Sequence, residues 1–65
     1  MKLSYFQDTD TLYIEFSQAV VAESRDLDEN TLLDVDANGE IVAITIEHAS
    51  TRMDVHNLTV SGIAA

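Results

Sequence analysis

The stretch LLDVDANGEIVAITI, residues 32–46, decides the fold of this chain. Two runs rich in aliphatic and β-branched residues, 31–35 and 40–46, flank the segment Asp36–Gly39. An Asn-Gly pair between such runs is a strong signal for a β-hairpin, because both residues tolerate positive φ. The run Ile41–Ile46 carries apolar side chains on both faces, which predicts a strand that is central in a sheet or lies at an interface.

Alternation of apolar and polar residues predicts another hairpin near the start of the chain. Residues 2–6 alternate, and so do residues 12–17, where Leu12, Ile14 and Phe16 share one face. An Asp-rich segment separates the two runs and suits a turn, because Asp side chains hydrogen-bond to nearby backbone amides. We expect two antiparallel strands here.

Weaker patterns complete the predicted fold. Residues 20–25 predict a third strand and residues 26–30 a polar loop, while residues 48–53 predict a helical turn or short helix across the sheet. The pattern of residues 54–65 is ambiguous. We therefore predict a mostly β fold of the α+β class in a single domain, residues 1–65. It is a small antiparallel β-meander of about four to five strands with a short helix near the C-terminus.

The charge balance restricts the classes of partner. Twelve Asp and Glu residues face three Lys and Arg residues, for a formal net charge of -9. This chain alone has too little positive charge to bind nucleic acid, and an anionic membrane would repel it. Its field would attract cations or a basic protein, although the same charge also keeps a small apolar chain soluble. With no signal peptide and no long apolar run, we expect a cytoplasmic location.

The chain is short for its apolar content, and this predicts self-association. It has 65 residues, 46% of them hydrophobic, and no cysteine. The missing thiols exclude disulfides, thiolate zinc sites and thiol nucleophiles. A chain of this length buries only about 60% of the surface that its unfolded form exposes, and small domains compensate with disulfides, metals or oligomerisation. We expect a homo-oligomer, with a dimer favoured; the alternative is a monomer whose terminal helix covers the second face.

The segment Asp34–Gly39 matches D-x-D-x-N-G, the first half of a calcium-binding loop. The match fails at the closing position, where a bidentate Glu is required and Thr45 stands. The flanking runs are also strands rather than helices. We interpret the segment as a hairpin turn, with cation binding at the turn Asp34–Asn38 as the minor alternative.

Other polar residues show no reactive spacing. His48 and His56 lie eight residues apart with Glu47 and Asp54 beside them, which is not the spacing of a helical metal-binding pair. Ser50 lacks the glycine-flanked turn that accompanies a nucleophilic serine. We predict exposed histidines, and no catalytic, cofactor-binding or metal-binding residue.

Paired carboxylates and clustered aromatic residues have simple interpretations. The carboxylate pairs are Asp8 with Asp10, Asp26 with Asp28, and Asp34 with Asp36. Acid–base catalysis needs a cleft that separates the pKa values of such a pair, and a domain this small has little room for one. We expect these pairs to form a solvated rim. The aromatic residues of the first hairpin, Tyr5, Phe6, Tyr13 and Phe16, fall on both faces, so one face is a candidate interaction surface.

Four blocks, in this order and spacing, carry a family resemblance: Tyr5 with Asp8–Ile14, then Val21–Ser24, then Leu33–Ile46, then Ala49–Ser50. Together they resemble a small bacterial family, domain of unknown function 2283, over about residues 2–53. The chain departs from the usual pattern where Ala43 replaces a common glycine, and after Met53. The resemblance implies a short, soluble β-meander with a terminal helical piece, and it carries over no catalytic residues.

Two hypotheses of function follow. In size, charge and gene-neighbour habit, members of that family resemble the antitoxin half of toxin–antitoxin pairs, which implies a non-enzymatic module that captures a basic partner such as a nuclease. The second hypothesis is a self-assembling structural or ligand-binding domain. A basic protein encoded next door would favour the first hypothesis over the second.

Overall fold

The computed structural model describes residues 1–52, which form one antiparallel sheet. The strands are β1 (Lys2–Phe6), β2 (Thr11–Glu15), β3 (Glu23–Asp28), β4 (Thr31–Val35) and β5 (Ile41–Ile46), followed by a 3-10 turn at Ala49–Thr51. The mostly β architecture and the two hairpins are confirmed. The helical piece expected within residues 48–53 is a single 3-10 turn, and the prediction for residues 54–65 lies outside the described residues.

The strand order is β1-β2-β5-β4-β3, so the sheet is a hairpin joined to a meander. The last three strands follow one another in space as they do along the chain, whereas β2 pairs with β5 rather than with β3. Ile44 is in register with Ile14 on one side and with Leu33 on the other. Val42 and Ala43 are buried. The central position predicted for Ile41–Ile46 is confirmed.

The turn between β4 and β5 depends on one residue with positive φ. Gly39 has φ +80, and its N–H donates to the carbonyl of Asp36 at 3.0 Å. The N–H of Asp36 donates in turn to the carbonyl of Glu40 at 2.9 Å. Asn38 does not share the positive φ that the Asn-Gly pair had suggested. The loop therefore resembles a type I turn closed by a left-handed glycine, the usual three-residue hairpin connection.

The third strand lies later in the chain than predicted. It spans Glu23–Asp28 instead of residues 20–25, so the polar loop expected over residues 26–30 shrinks to a turn at residues 29–30. All six residues of β3 are exposed, and its register with β4 shifts between Asp26 and Asp28. Hydrophobic patterning did not locate this strand because backbone pairing with β4, and not burial, holds it in the sheet.

A cluster of apolar side chains packs on one face of the sheet near the turn between β1 and β2. Leu12 and Ala49 are its buried members, while Val35, Val42 and Ala43 are buried outside this cluster. Four partly buried side chains pack against Leu12 and Ala49: Leu3, Tyr5, Ile14 and Ile46. Phe16, expected on the same face, follows the end of β2 and is 43% exposed. Among residues 1–52 no helix is long and apolar enough to cross a membrane.

Replacing Gly39 by Val should lower the free energy of unfolding by about 1 kcal/mol or more, because a β-branched residue resists positive φ. A Cβ at this position would meet no atom within 4 Å, so backbone strain rather than a clash is the cause. Gly39→Asn is the matched control, since Asn tolerates the left-handed region. In urea denaturation the free energy of unfolding should be highest for the parent protein, slightly lower for Gly39→Asn and lowest for Gly39→Val. Equal stability of the Val and Asn variants would contradict this account of the turn.

Candidate functional site

A polar cluster around Asp10 joins the two ends of the described chain. The Tyr5 hydroxyl donates to Oδ1 of Asp10 at 2.5 Å, and the Ser50 hydroxyl donates to Oδ2 at 2.7 Å. The backbone N–H of Ser50 donates to Oδ1 at 3.1 Å, and that of Ala49 donates to the Asp10 carbonyl at 2.9 Å. We call Tyr5, Asp10, Ala49 and Ser50 the Asp10 clamp. It fixes the segment after β5 against the turn between β1 and β2.

Left-handed backbone conformations at two residues shape the clamp. Asp10 has φ 53, and His48, which precedes the 3-10 turn, has φ 54. Such conformations are uncommon for residues with a Cβ, and Asp, Asn and His adopt them more readily than most. The turn at His48 lets the chain leave the end of β5 and bring the next residues over the core face, where Ala49 packs on Leu12.

The clamp favours an ionised carboxylate beside neutral hydroxyls. Hydrogen bonds from the Ser50 hydroxyl and then the Tyr5 hydroxyl lower the pKa of Asp10 below its ordinary value. The same bond from Tyr5 raises the pKa of that hydroxyl, and the negative charge of Asp10 adds to the effect. A carboxylate stabilised in this way is a weaker base. The arrangement suits a structural role better than proton abstraction.

Asp34 and Asp36 use their carboxylates within the sheet and the turn. Oδ1 of Asp36 accepts hydrogen bonds from the N–H groups of Asn38 at 2.8 Å and Glu40 at 3.0 Å. Oδ1 of Asp34 accepts one from the Ser24 hydroxyl at 2.6 Å, across the pair formed by β3 and β4. The contacts of Asp36 are those of a hairpin turn, and the contact of Asp34 links two paired strands. Across residues 1–52 no three His, Asp or Glu side chains gather as metal ligands would.

The remaining candidate residues lie apart. The carboxylate of Asp28 caps the next turn, accepting from the N–H of Asn30 at 2.8 Å, and this hydrogen bond is the main reason that its pKa is lowered. Asp8 and His48 are exposed. Ser50 contacts Asp10 rather than a histidine. His56 and Asp54 lie outside the described residues.

A shallow groove of about 120 Å³ runs along β3, β4 and β5 between Asp26, Glu29 and Glu47.

Four exposed apolar residues lie near the end of the sheet that holds the turn between β4 and β5. These residues, here called the apolar patch, are Phe16, Val20, Val21 and Ile41, with exposed fractions of 43%, 85%, 44% and 48%. Backbone hydrogen bonds bring them to this end: the N–H of Phe16 donates to Val42, and that of Ala22 to Val35, at 2.7 and 2.8 Å. Val35 is itself in register with Ile41.

Acidic residues flank the apolar patch. Glu15 directly precedes Phe16, and Glu40 directly precedes Ile41. Sequence reasoning located only part of this surface, because it assigned residues 20–25 to a strand and looked for an interaction face among the aromatic residues. The available signal was an apolar pair, Val20 and Val21, in a connection with no regular alternation.

Removing either hydroxyl of the Asp10 clamp should lower the melting temperature by several degrees, because the carboxylate loses a donor at a partly buried position. Tyr5→Phe tests this, with Tyr13→Phe as the control, since within residues 1–52 the Tyr13 hydroxyl makes no side-chain hydrogen bond to the protein. If both variants have the same melting temperature as the parent chain, the clamp does not contribute to stability.

The clamp also predicts a dependence of stability on pH. The pKa of Asp10 is lower in the folded protein than its ordinary value of 3.8. The ionised carboxylate therefore adds to the free energy of unfolding above that pH, and this added stability is lost as the pH falls further. The pKa of Tyr5 is raised above its ordinary value of 10.0, so the stability that its neutral hydroxyl adds to the folded protein is lost as the pH rises beyond that value. Asp10→Asn should therefore be less stable than the parent at neutral pH, and the gap should narrow in acid. A gap that is constant from neutral to acidic pH would count against the clamp.

Calcium should leave the melting temperature unchanged, because Asp36 already binds two backbone N–H groups and Thr45 cannot close a calcium loop. Asp36→Ala should destabilise the hairpin equally with and without calcium. Thermal melts of both proteins in calcium and in chelator check this. A calcium-dependent rise of several degrees that Asp36→Ala abolishes would contradict it.

Comparisons with known proteins give one match. No curated protein matches the chain, and no solved structure does. The family described as protein of unknown function (DUF2283) matches residues 2–50, a span that includes all five strands and the Asp10 clamp. The chain belongs to this family of proteins of unknown function, DUF2283.

Proposed function

We propose that this protein is a non-enzymatic binding module that captures a basic protein partner through the apolar patch. The observation that carries the proposal is the exposure of Phe16, Val20, Val21 and Ile41 together at one end of the sheet. Isolated exposed apolar side chains are ordinary, whereas a group of them with a polar border is typical of protein interaction sites.

The charge of the surface supports a basic partner. Arg25 already pairs with Glu23 at 3.1 Å, and Arg52 lies 3.9 Å from Asp28. Within residues 1–52 this leaves Lys2 as the cation outside an ion pair, against a large excess of acidic side chains. A field of this sign accelerates encounter with a positively charged protein and repels acidic ones. A partner that presents apolar side chains among Lys or Arg residues would fit both the patch and its acidic flanks.

The hydrogen bonds of the candidate reactive groups favour binding over catalysis. Asp10 and Ser50 bond to each other in the clamp, and Asp36 bonds to its own turn. A general base must be within reach of a substrate proton and have a pKa near the working pH. An ionised carboxylate with a lowered pKa that already accepts several hydrogen bonds fits that role poorly.

An antitoxin-like role would use these properties directly. Toxins of the nuclease class bind anionic nucleic acid, so a compact acidic protein can occupy the same basic surface. The alternative is a self-assembling domain, for which the apolar patch would be a contact between copies. Cation binding at Asp34–Asn38 has less support, because Asp34 and Asp36 already accept hydrogen bonds from Ser24 and from the turn.

Site-specific photo-crosslinking in the native cell tests the proposal. A benzophenone amino acid at Val20, the most exposed member of the patch, should crosslink a protein that mass spectrometry identifies as basic. The same probe at the exposed Asp8, in the turn at the opposite end of β2, should not capture that protein. Glu15→Lys combined with Glu40→Lys should reduce the crosslink at Val20. No crosslink at Val20, or an acidic partner, would contradict the proposal, and a crosslink between two copies would favour the alternative.

A further inference from the structure

The tip of the hairpin between β4 and β5 carries an asparagine followed directly by a glycine. Asn38 and Gly39 are both exposed, and within residues 1–52 the side-chain amide of Asn38 makes no hydrogen bond. Glycine has no Cβ, so nothing on its own side chain shields the peptide nitrogen that follows Asn38. The space beside Gly39 is open as well, because a Cβ placed there would meet no atom within 4 Å. The backbone nitrogen of Gly39 can therefore approach the amide carbon of Asn38 once the turn permits it.

We infer that Asn38 is a site of spontaneous covalent modification, at which the side-chain amide is lost and aspartate and isoaspartate form at a rate set by opening of the turn. The inference goes beyond the proposed function, because it concerns a reaction of the chain with water and needs no protein partner.

Water is the only reagent that the reaction consumes. The backbone nitrogen of Gly39 loses its proton to solvent and attacks Cγ of Asn38. The new bond between this nitrogen and Cγ replaces the bond from Cγ to the side-chain nitrogen, which takes up a proton and leaves as ammonia. Water then opens the five-membered succinimide ring. Attack at Cγ gives aspartate, whereas attack at the main-chain carbonyl carbon gives isoaspartate, in which the main chain continues through Cγ. Overall one water enters and one ammonia leaves.

The closed turn slows the first step. The N–H of Gly39 donates to the carbonyl of Asp36 at 3.0 Å, so removal of its proton also breaks a hydrogen bond. The succinimide ring requires a ψ at Asn38 far from the value of about 0° that the second central residue of a type I turn adopts. The turn must therefore open before the ring can close.

The carboxylate of Asp36 controls this opening. Its Oδ1 accepts hydrogen bonds from the N–H groups of Asn38 at 2.8 Å and Glu40 at 3.0 Å, on both sides of the reacting peptide bond. The backbone N–H of Asp36 donates to the carbonyl of Glu40 at 2.9 Å, which closes the same loop. The side chain of Asp36 thus protects Asn38 by holding the turn together.

Isoaspartate changes the hairpin more than aspartate does. Aspartate adds a negative charge to the tip, whereas isoaspartate also inserts a methylene group into the main chain before Gly39. The inserted group displaces the N–H groups of Gly39 and Glu40 from the Asp36 carbonyl and carboxylate that accept them. Loss of these hydrogen bonds weakens the pairing of β4 with β5 at the end nearest to the turn.

Peptide mapping by mass spectrometry tests the site in the full chain, incubated for weeks at mildly alkaline pH. The mass change from amide to acid should appear at Asn38, and isoaspartate, detected by enzymatic methylation, should exceed aspartate. Asn30 is the internal control and should keep its amide, because the branched Cβ of Thr31 shields the nitrogen that follows it. An unmodified Asn38, or equal modification of Asn30 and Asn38, would overturn the inference.

Reaction rates test the control by the turn. Asp36→Ala removes the acceptor of two N–H groups, so Asn38 should react several-fold faster than in the parent protein. Asp36→Ser is the matched control, because it keeps a side-chain oxygen at this position and should react more slowly than Asp36→Ala. Circular dichroism confirms that both variants fold. The parent protein unfolded in guanidinium chloride needs no substitution and should react fastest, since its turn is open throughout. Equal rates in the folded parent, Asp36→Ala and the unfolded parent would overturn the inference.

The stability of the product tests the effect on the hairpin. Ion exchange separates the modified protein by its added negative charge. Its melting temperature should lie several degrees below that of Asn38→Asp, which carries the same added charge on an unaltered main chain. Equal melting temperatures of the modified protein and Asn38→Asp would contradict the expected loss of hydrogen bonds in the turn.

Discussion

Hydrogen bonding along both sides of β5 is the interaction on which the rest of the sheet depends. The strand Ile41–Ile46 is the last strand within residues 1–52, and it lies between β2 and β4. Its pairing with β2 joins the N-terminal hairpin to the meander of β3, β4 and β5. An isolated hairpin is at best marginally stable in water. Val42 and Ala43 of this strand are buried, and a polar change there would disturb its pairing with both neighbouring strands.

The Asp10 clamp has a similar joining role at the end of β5. It connects residues 40 positions apart through one carboxylate, and it holds Ala49 against the core. Tyr5, Asp10 and Ser50 all belong to blocks on which the family resemblance depends. All three lie within residues 2–50, which the family model matches, and their hydrogen bonds hold the segment after β5 against the first hairpin. A short chain with no disulfide has few other means of holding together segments that are distant in sequence.

Small size also explains why apolar side chains are exposed at the margin of this sheet. One layer of strands with a short following segment offers few side chains to cover an apolar residue, so Phe16 and Ile41 remain exposed at one end. The two sheet edges differ in charge, with acids concentrated on β3 and a lone lysine on β1.

The sequence by itself determined the local structure: two hairpins, their turns, the central character of Ile41–Ile46 and the acidic surface. These features depend on alternation, on turn-forming residues and on composition, which are properties of neighbours in the chain. Only the tertiary structure decided the position of β3, the pairing of β2 with β5 and the partners of Asp10. The six exposed residues of β3 have no burial pattern to reveal it, and its place comes from hydrogen bonds to β4. Ser50 reaches Asp10 only because β5 enters the sheet beside β2, and a contact between residues so distant in the chain is set by strand order, which periodicity within single strands does not encode.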